Sequence, residues 1–272
     1  MNISPYTFGT MSLGKNPAQP ESDMEVAFRA MDAGVWFHSS RTYNQGFTFM
    51  VLRMAFDARR NDRPRMILKI RDGSVPLMRF ETEDCCSRLG IDHIDIAQLV
   101  SMSREPGNLV DQLTRGDGPL LEELASLRDR GLIHKAMLFL NRDNADAAVA
   151  AADHPLIDGV TLYWNPWQFD CTPAAWQRIV DKNLPVLALR TLGGWEDSRL
   201  RERRTQMEQA LPEIDPVQLA LDLATADPNV RTTIGGTASL PHLENYLRAV
   251  ENATPPDDAI VQTVNRIRQK TF

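Results

Sequence analysis

Eight short apolar runs, each followed by a stretch of helical period, recur along the 272 residues, and no other feature restricts the fold as tightly. The apolar runs fall at residues 7–11, 35–38, 66–70, 94–100, 133–140, 159–162, 185–189 and 232–234. The helical stretches between and after them fall at 22–33, 49–60, 78–89, 120–130, 143–152, 173–182, 216–226 and 240–250. Local signals punctuate the series. Ser22 and Glu25 have capping-box spacing, Gly34, Gly90 and Gly131 stand where helices stop, Asp143 is placed to cap a helix, and Pro216 stands at a first helical position. Such alternation favours parallel strands covered by helices. Eight units predict one closed (β/α)8 TIM barrel over residues 1–272, with an open doubly wound sheet as the alternative. Residues 104–118 and 193–204 exceed the plain repeat and read as long βα connections, the kind that build a barrel's functional face.

Composition excludes more than it selects. A net charge of -6 and an isoelectric point near 5.4 argue against nucleic acid and against an anionic membrane as partners. The basic run at 199–204 is interrupted or flanked by Glu196, Asp197 and Glu202, and reads as a solvated helix face. Cys85, Cys86 and Cys171 have no zinc or redox spacing, and His93, His134, His154 and His242 are scattered, so no metal is assigned. The first residues carry no basic-then-apolar signal and no run approaches membrane-span length, so the expected location is the cytoplasm.

Several segments, in order, resemble the aldo-keto reductase family. They are Phe8-Gly9-Thr10-Met11-Ser12-Leu13-Gly14, the run from Ala33 to Tyr43, Ile67-Leu68-Lys69, the run from Arg88 to Ile96, and Ile234-Gly235-Gly236-Thr237-Ala238-Ser239. The resemblance implies a (β/α)8 barrel that moves a hydride from nicotinamide to a carbonyl carbon. In that family a Tyr protonates the oxygen, a Lys lowers the Tyr pKa, an Asp holds the Lys, and a His orients the carbonyl. Here Tyr43 stands at the acid's position and Lys69 at its partner's, but His38 replaces the Asp and Val100 the His. Val100 donates no hydrogen bond, and loss of one such donor costs about 3 to 4 kcal/mol of transition-state stabilisation. A neutral His38 is able to accept a hydrogen bond from Lys69, or to act as an acid or base itself.

The same resemblance places the cofactor, NADPH or NADH if the protein is redox-active. Trp164 aligns with an aromatic that stacks on nicotinamide, Arg190 and Leu192 with a segment after strand seven that lies along the pyrophosphate, and Gly236 and Ser239 with a phosphate loop. Glu244 and Asn245 align with residues at the adenine, while Asn141 and Thr161 fall near positions for the nicotinamide amide. The substrate is expected to be a small carbonyl compound held by Trp36, Trp164 and the long loops, with Trp167 and Trp195 also near the rim. Drift at several of these positions together supports a competing expectation. On that alternative no cofactor is used, and the chain is a lyase or isomerase working through His38, Tyr43 and Lys69, or a ligand-binding barrel without catalysis.

Overall fold

Strand alternation divides the interior of this protein in two. The computed structural model describes residues 2–101, 107–193 and 198–269. In chain order the elements are β1 (Tyr6–Gly9), α1 (Pro20–Asp32), β2 (Trp36–Ser39), α2 (Phe47–Ala58), β3 (Met66–Arg71), α3 (Val75–Leu89), β4 (Ile94–Val100), α4 (Leu109–Arg115), α5 (Pro119–Asp129), β5 (Ile133–Phe139) and α6 (Ala145–Ala151). They continue with β6 (Gly159–Asn165), β7 (Gln168–Phe169), α7 (Pro173–Asp181), β8 (Val186–Leu189), α8 (Ser198–Ala210), α9 (Pro216–Thr225), β9 (Val230–Gly235), α10 (Leu240–Glu251) and α11 (Asp258–Gln269). Eight strands pair in parallel in the order β5-β4-β3-β2-β1-β9-β8-β6, and a β5–β6 pairing closes the ring. The strand β7 is an antiparallel flap on β6. The alternation thus encodes a closed (β/α)8 barrel rather than an open sheet.

Successive side chains on a strand face opposite sides. Ile67, Ile96, Met137, Leu187, Leu189 and Ile234 meet inside the barrel with Trp36, Phe139 and Tyr163 at their edges. Their sequence neighbours Leu68, Ala97, Leu138, Leu162 and Ala188 pack outward, in the larger cluster that includes helical residues such as Leu52, Leu124 and Ile179.

Several boundaries differ from the sequence reading for local reasons. Helix α1 starts at Pro20 after Gln19, two residues ahead of the expected cap. Ser22 accordingly sits inside the first turn, and Asp23 is buried because its carboxylate accepts the Gly14 N–H at 2.7 Å. Asp143 does not cap α6; Asn141 Oδ1 accepts the N–H groups of Asp143 and Asn144 instead. The two long connections carry helices α4 and α8, and α11 closes the chain unannounced by any of the eight units. Within α8 the basic run is not wholly solvated: Arg203 is buried and donates to the Trp167 carbonyl at 3.0 Å.

Candidate active site at the barrel mouth

The loop after β2 forces Tyr43 into place. Asn44 and Gln45, the next two residues, have φ of 48° and 57°, a left-handed conformation unfavourable for side-chain-bearing residues. Asn44 suits it best, and its amide ties the turn to the carbonyls of Met11 at 2.9 Å and Leu13 at 2.6 Å. Tyr43 is thereby fixed with its ring 5.1 Å from the Lys69 ammonium, the sequence-expected pair brought together across β2 and β3.

Electrostatics at this pair come from burial, from Tyr163 of β6 and from one residue after β8. Burial, with the Arg190 charge adding to it, pushes the Lys69 ammonium down to about 8. Burial pushes the Tyr43 phenol up, the neighbouring Tyr163 adds to that, and Arg190 pulls the other way. The guanidinium that favours a tyrosinate here is thus Arg190. Arg190 itself has φ 54°, and its carbonyl is held by Asn165 Nδ2 at 3.0 Å and the Gly193 N–H at 2.8 Å. That pinned backbone places its guanidinium 4.3 Å from the centre of the Tyr163 ring.

His38 is brought to the same interior but does not hold Lys69. Its Nε2 lies 2.6 Å from Gln98 Oε1, so a neutral imidazole donates this bond from an Nε2 proton. Burial first, and the Lys69 charge second, lower it to about 3, against a smaller raising effect from Gln98. At neutral pH His38 is therefore an uncharged, hydrogen-bonded barrel residue, and the expected contact with Lys69 is replaced by Gln98. Gln98 was legible as a lumen position, two residues before Val100 on the same face of β4, but no motif singles it out. Asp72, just after β3, was not singled out either; burial pushes its carboxyl up to about 6.

The aromatic reading is off by one residue. Trp164 faces outward and packs edge-on against Phe169 at 5.4 Å and Trp176 at 4.8 Å. Tyr163, its neighbour, faces the lumen and meets Phe139 edge-on at 5.3 Å. Trp36 begins β2 at the opposite, N-terminal end of the barrel and lies beside Arg65, so it cannot line a substrate site at the mouth. Trp167 is buried and donates from Nε1 to the Gly193 carbonyl at 2.9 Å, a packing role; Trp195 falls outside the described residues.

The cofactor positions divide. A Cβ on Gly236 would come 2.1 Å from the Gly9 carbonyl oxygen, so strand packing alone requires this glycine, whereas a Cβ on Gly235 would meet only the Leu192 side chain at 3.1 Å. Glu244 is engaged by Arg29 of α1 through two hydrogen bonds, leaving Asn245 on α10 without its expected companion. Asn141 spends its side-chain oxygen on the turn before α6. What fits an extended dinucleotide is the N-terminus of α10, where Ser239 makes no side-chain cap, and the buried Thr161 hydroxyl, which faces the lumen without a partner. A ring stacks on Tyr163 only after the exposed Arg190 side chain swings aside.

No family model matches this chain, and no curated protein does. Solved structures do. An aldo-keto reductase of Klebsiella pneumoniae in complex with NADPH is 19% identical, with a TM-score of 0.76 over 99% of this chain and 93% of that one. The same organism's enzyme in complex with NADP and acetate gives 19% and 0.74 over 98% and 92%. The holo form of an aldo-keto reductase from Bacillus halodurans gives 19% and 0.75 over 98% and 93%. At this identity the likeness shows a shared fold: the chain has the (β/α)8 barrel of the aldo-keto reductase type, nearly end to end. Function is a matter of the site and does not follow from the fold.

Proposed function

We propose that this protein is a divergent NAD(P)H-dependent carbonyl reductase in which Tyr43 and Lys69 carry the proton chemistry. The observation behind this reading is the placement of the Lys69 ammonium 5.1 Å from the Tyr43 ring at the C-terminal mouth of the barrel. When bound, the reduced dinucleotide would supply a hydride, and its phosphates would be received at the N-terminus of α10. The chain's own residues hold a small carbonyl compound and deliver a proton from Tyr43 Oη to its oxygen. The charge of Arg190 favours the tyrosinate left behind. His38 and Gln98 form a neutral, hydrogen-bonded floor. With Val100 in place of a donor, turnover is expected to be slow.

One observation favours a second reading. The Arg190 guanidinium covers the Tyr163 face on which a nicotinamide would stack. On that reading the barrel binds no dinucleotide and serves as a lyase or isomerase through Tyr43 and Lys69, or as a ligand-binding protein.

The test is steady-state NADPH oxidation with a panel of small aldehydes and ketones, comparing the native chain with Tyr43→Phe. Aldehyde-dependent oxidation lost in Tyr43→Phe supports the reductase. Equal rates in both, or none with any substrate, reject it.

A further inference from the structure

At the opposite end of the barrel three ligating side chains converge, two of them two residues apart and the third brought in from the next strand. His93 lies just before β4, Asp95 is its second residue, and His134 is the second residue of the adjoining β5. Parallel pairing places Ile94 beside Ile133 and Ile96 beside Lys135, which sets Asp95 level with His134 and His93 two positions before it on the same face. Their rings stack with centroids 3.8 Å apart at 26°. His93 Nε2 is 3.7 Å from Asp95 Oδ1, and one ligand atom from each of the three residues lies within 4.8 Å of the others.

We propose that His93, Asp95 and His134 form a binding site for a divalent transition-metal ion, of the zinc class, at the N-terminal base of the barrel. Two imidazoles and one carboxylate, with an open fourth position, are a donor set that such ions accept. Asp95 is already oriented as a ligand, because its Oδ2 accepts the Met66 N–H at 2.8 Å and this leaves Oδ1 turned toward His93. A backbone-held carboxylate of this kind is how outer contacts orient a ligand. Donors on one tetrahedral ion stand about 3.3 Å apart for bonds of about 2.0 to 2.1 Å. The imidazoles must therefore leave their stack and turn their lone pairs toward one point, which the exposed His134 and half-exposed His93 are free to do.

The neighbouring charges are mixed, and two of the cations have partners elsewhere. Arg65 is drawn over the Trp36 ring at 5.4 Å, and Lys135 is drawn to Asp158 at 3.2 Å. Asp92 lines the same cavity of about 570 Å³, together with Arg63, Arg65 and Lys135. An ion here would tie β3, β4 and β5 together, far from Tyr43.

The experiment is calorimetric titration of the full, untagged chain with ZnCl2, with Co(II) absorption as a second readout. The site predicts one equivalent bound, a Co(II) spectrum of low coordination number, and a raised melting temperature with metal. His93→Ala and His134→Ala should each weaken Zn(II) at least tenfold. Asp95→Asn, which retains the acceptor for Met66 N–H, should weaken it while keeping the metal-free melting temperature within a few degrees. Undiminished Zn(II) binding in the His93→Ala/His134→Ala double variant would overturn the assignment. No saturable binding by the native chain at millimolar Zn(II) would do the same.

Discussion

The two ends of this barrel treat their ionisable groups in opposite ways. At the C-terminal mouth His38 is buried and Tyr43 and Lys69 are half-buried, and each is moved away from its usual pKa chiefly by the loss of water. At the N-terminal base His93, Asp95 and His134 remain partly open to solvent, and geometry rather than burial brings them together. Desolvation is costly for charged groups and persists only where a fold holds it in place. The mouth is therefore the end suited to proton transfer and the base the end suited to a ligand. A single parallel sheet produces both, because every strand delivers one terminus to each face.

The largest expected effect separates the ends by activity. Tyr43→Phe removes the hydroxyl proposed as proton donor and should lower kcat/KM for carbonyl reduction by about 10² to 10⁴-fold, whereas His134→Ala should leave it unchanged. Steady-state rates on both variants check this. A comparable loss in His134→Ala would erase the distinction between mouth and base.

Next in size is a gain at the mouth. Val100 follows Gln98 on the lumen face of β4, at the position where a carbonyl-orienting donor is missing. Val100→His should raise kcat by up to about 10²-fold, the factor that one such donor contributes. An unchanged kcat with intact folding would mean that the carbonyl does not lie where this site places it.

Stability against pH gives the third contrast. His38 is held at about 3 in the folded chain against 6.5 when exposed. Between these values the unfolded chain takes up a proton that the folded chain refuses, so stability falls as pH drops from 6.5 toward 3. The shift corresponds to roughly 3 to 5 kcal/mol at the acid limit, and His38→Gln should flatten that limb. Lys69 acts on the other side. Its folded value of about 8 lies below the usual 10.5, so stability gains as pH rises from 8 to 10.5. Melting curves across pH, native against His38→Gln, check the acid limb; parallel slopes would show that His38 is charged in the folded state.

The smallest effect concerns Arg190. Arg190→Ala uncovers Tyr163 and should tighten dinucleotide binding by several-fold while raising the Tyr43 pKa, seen as an alkaline shift in the rate profile. Weaker binding would instead assign the guanidinium to the phosphates.

What the sequence conveyed of this molecule follows from periodicity. The bounds of β4 are those read from the alternation, and all eight barrel strands are present. Helix α8 was obscured because its run from Arg199 to Arg204 is almost wholly charged, and its contact with the core passes through Leu200, Arg203 and Met207. Helix α11 did carry a signal, Ile260, Val264 and Ile267 at helical spacing, which packs against Met207 and Leu219. At the site, Tyr43 and Lys69 are legible because they stand in family order. The step from Trp164 to Tyr163 was not, since a one-residue shift reverses the face of every side chain and neither aromatic declares its direction. Gly236 was read as a phosphate contact, yet the Gly9 backbone already excludes any larger residue there. The base cluster was invisible to spacing because only the pairing of β4 with β5 joins His93 to His134.

The claim that the mouth serves nicotinamide chemistry is tested most directly by calorimetric titration of the native chain with NADPH and NADH, with nicotinamide emission followed in parallel. Trp164 is a poor reporter because it faces away from the mouth. The reductase account expects saturable binding in the micromolar range, lengthened nicotinamide fluorescence lifetime and retention of binding in Tyr43→Phe. Absence of binding by either dinucleotide at millimolar concentration would contradict it and leave Tyr43 and Lys69 to a reaction without a redox cofactor.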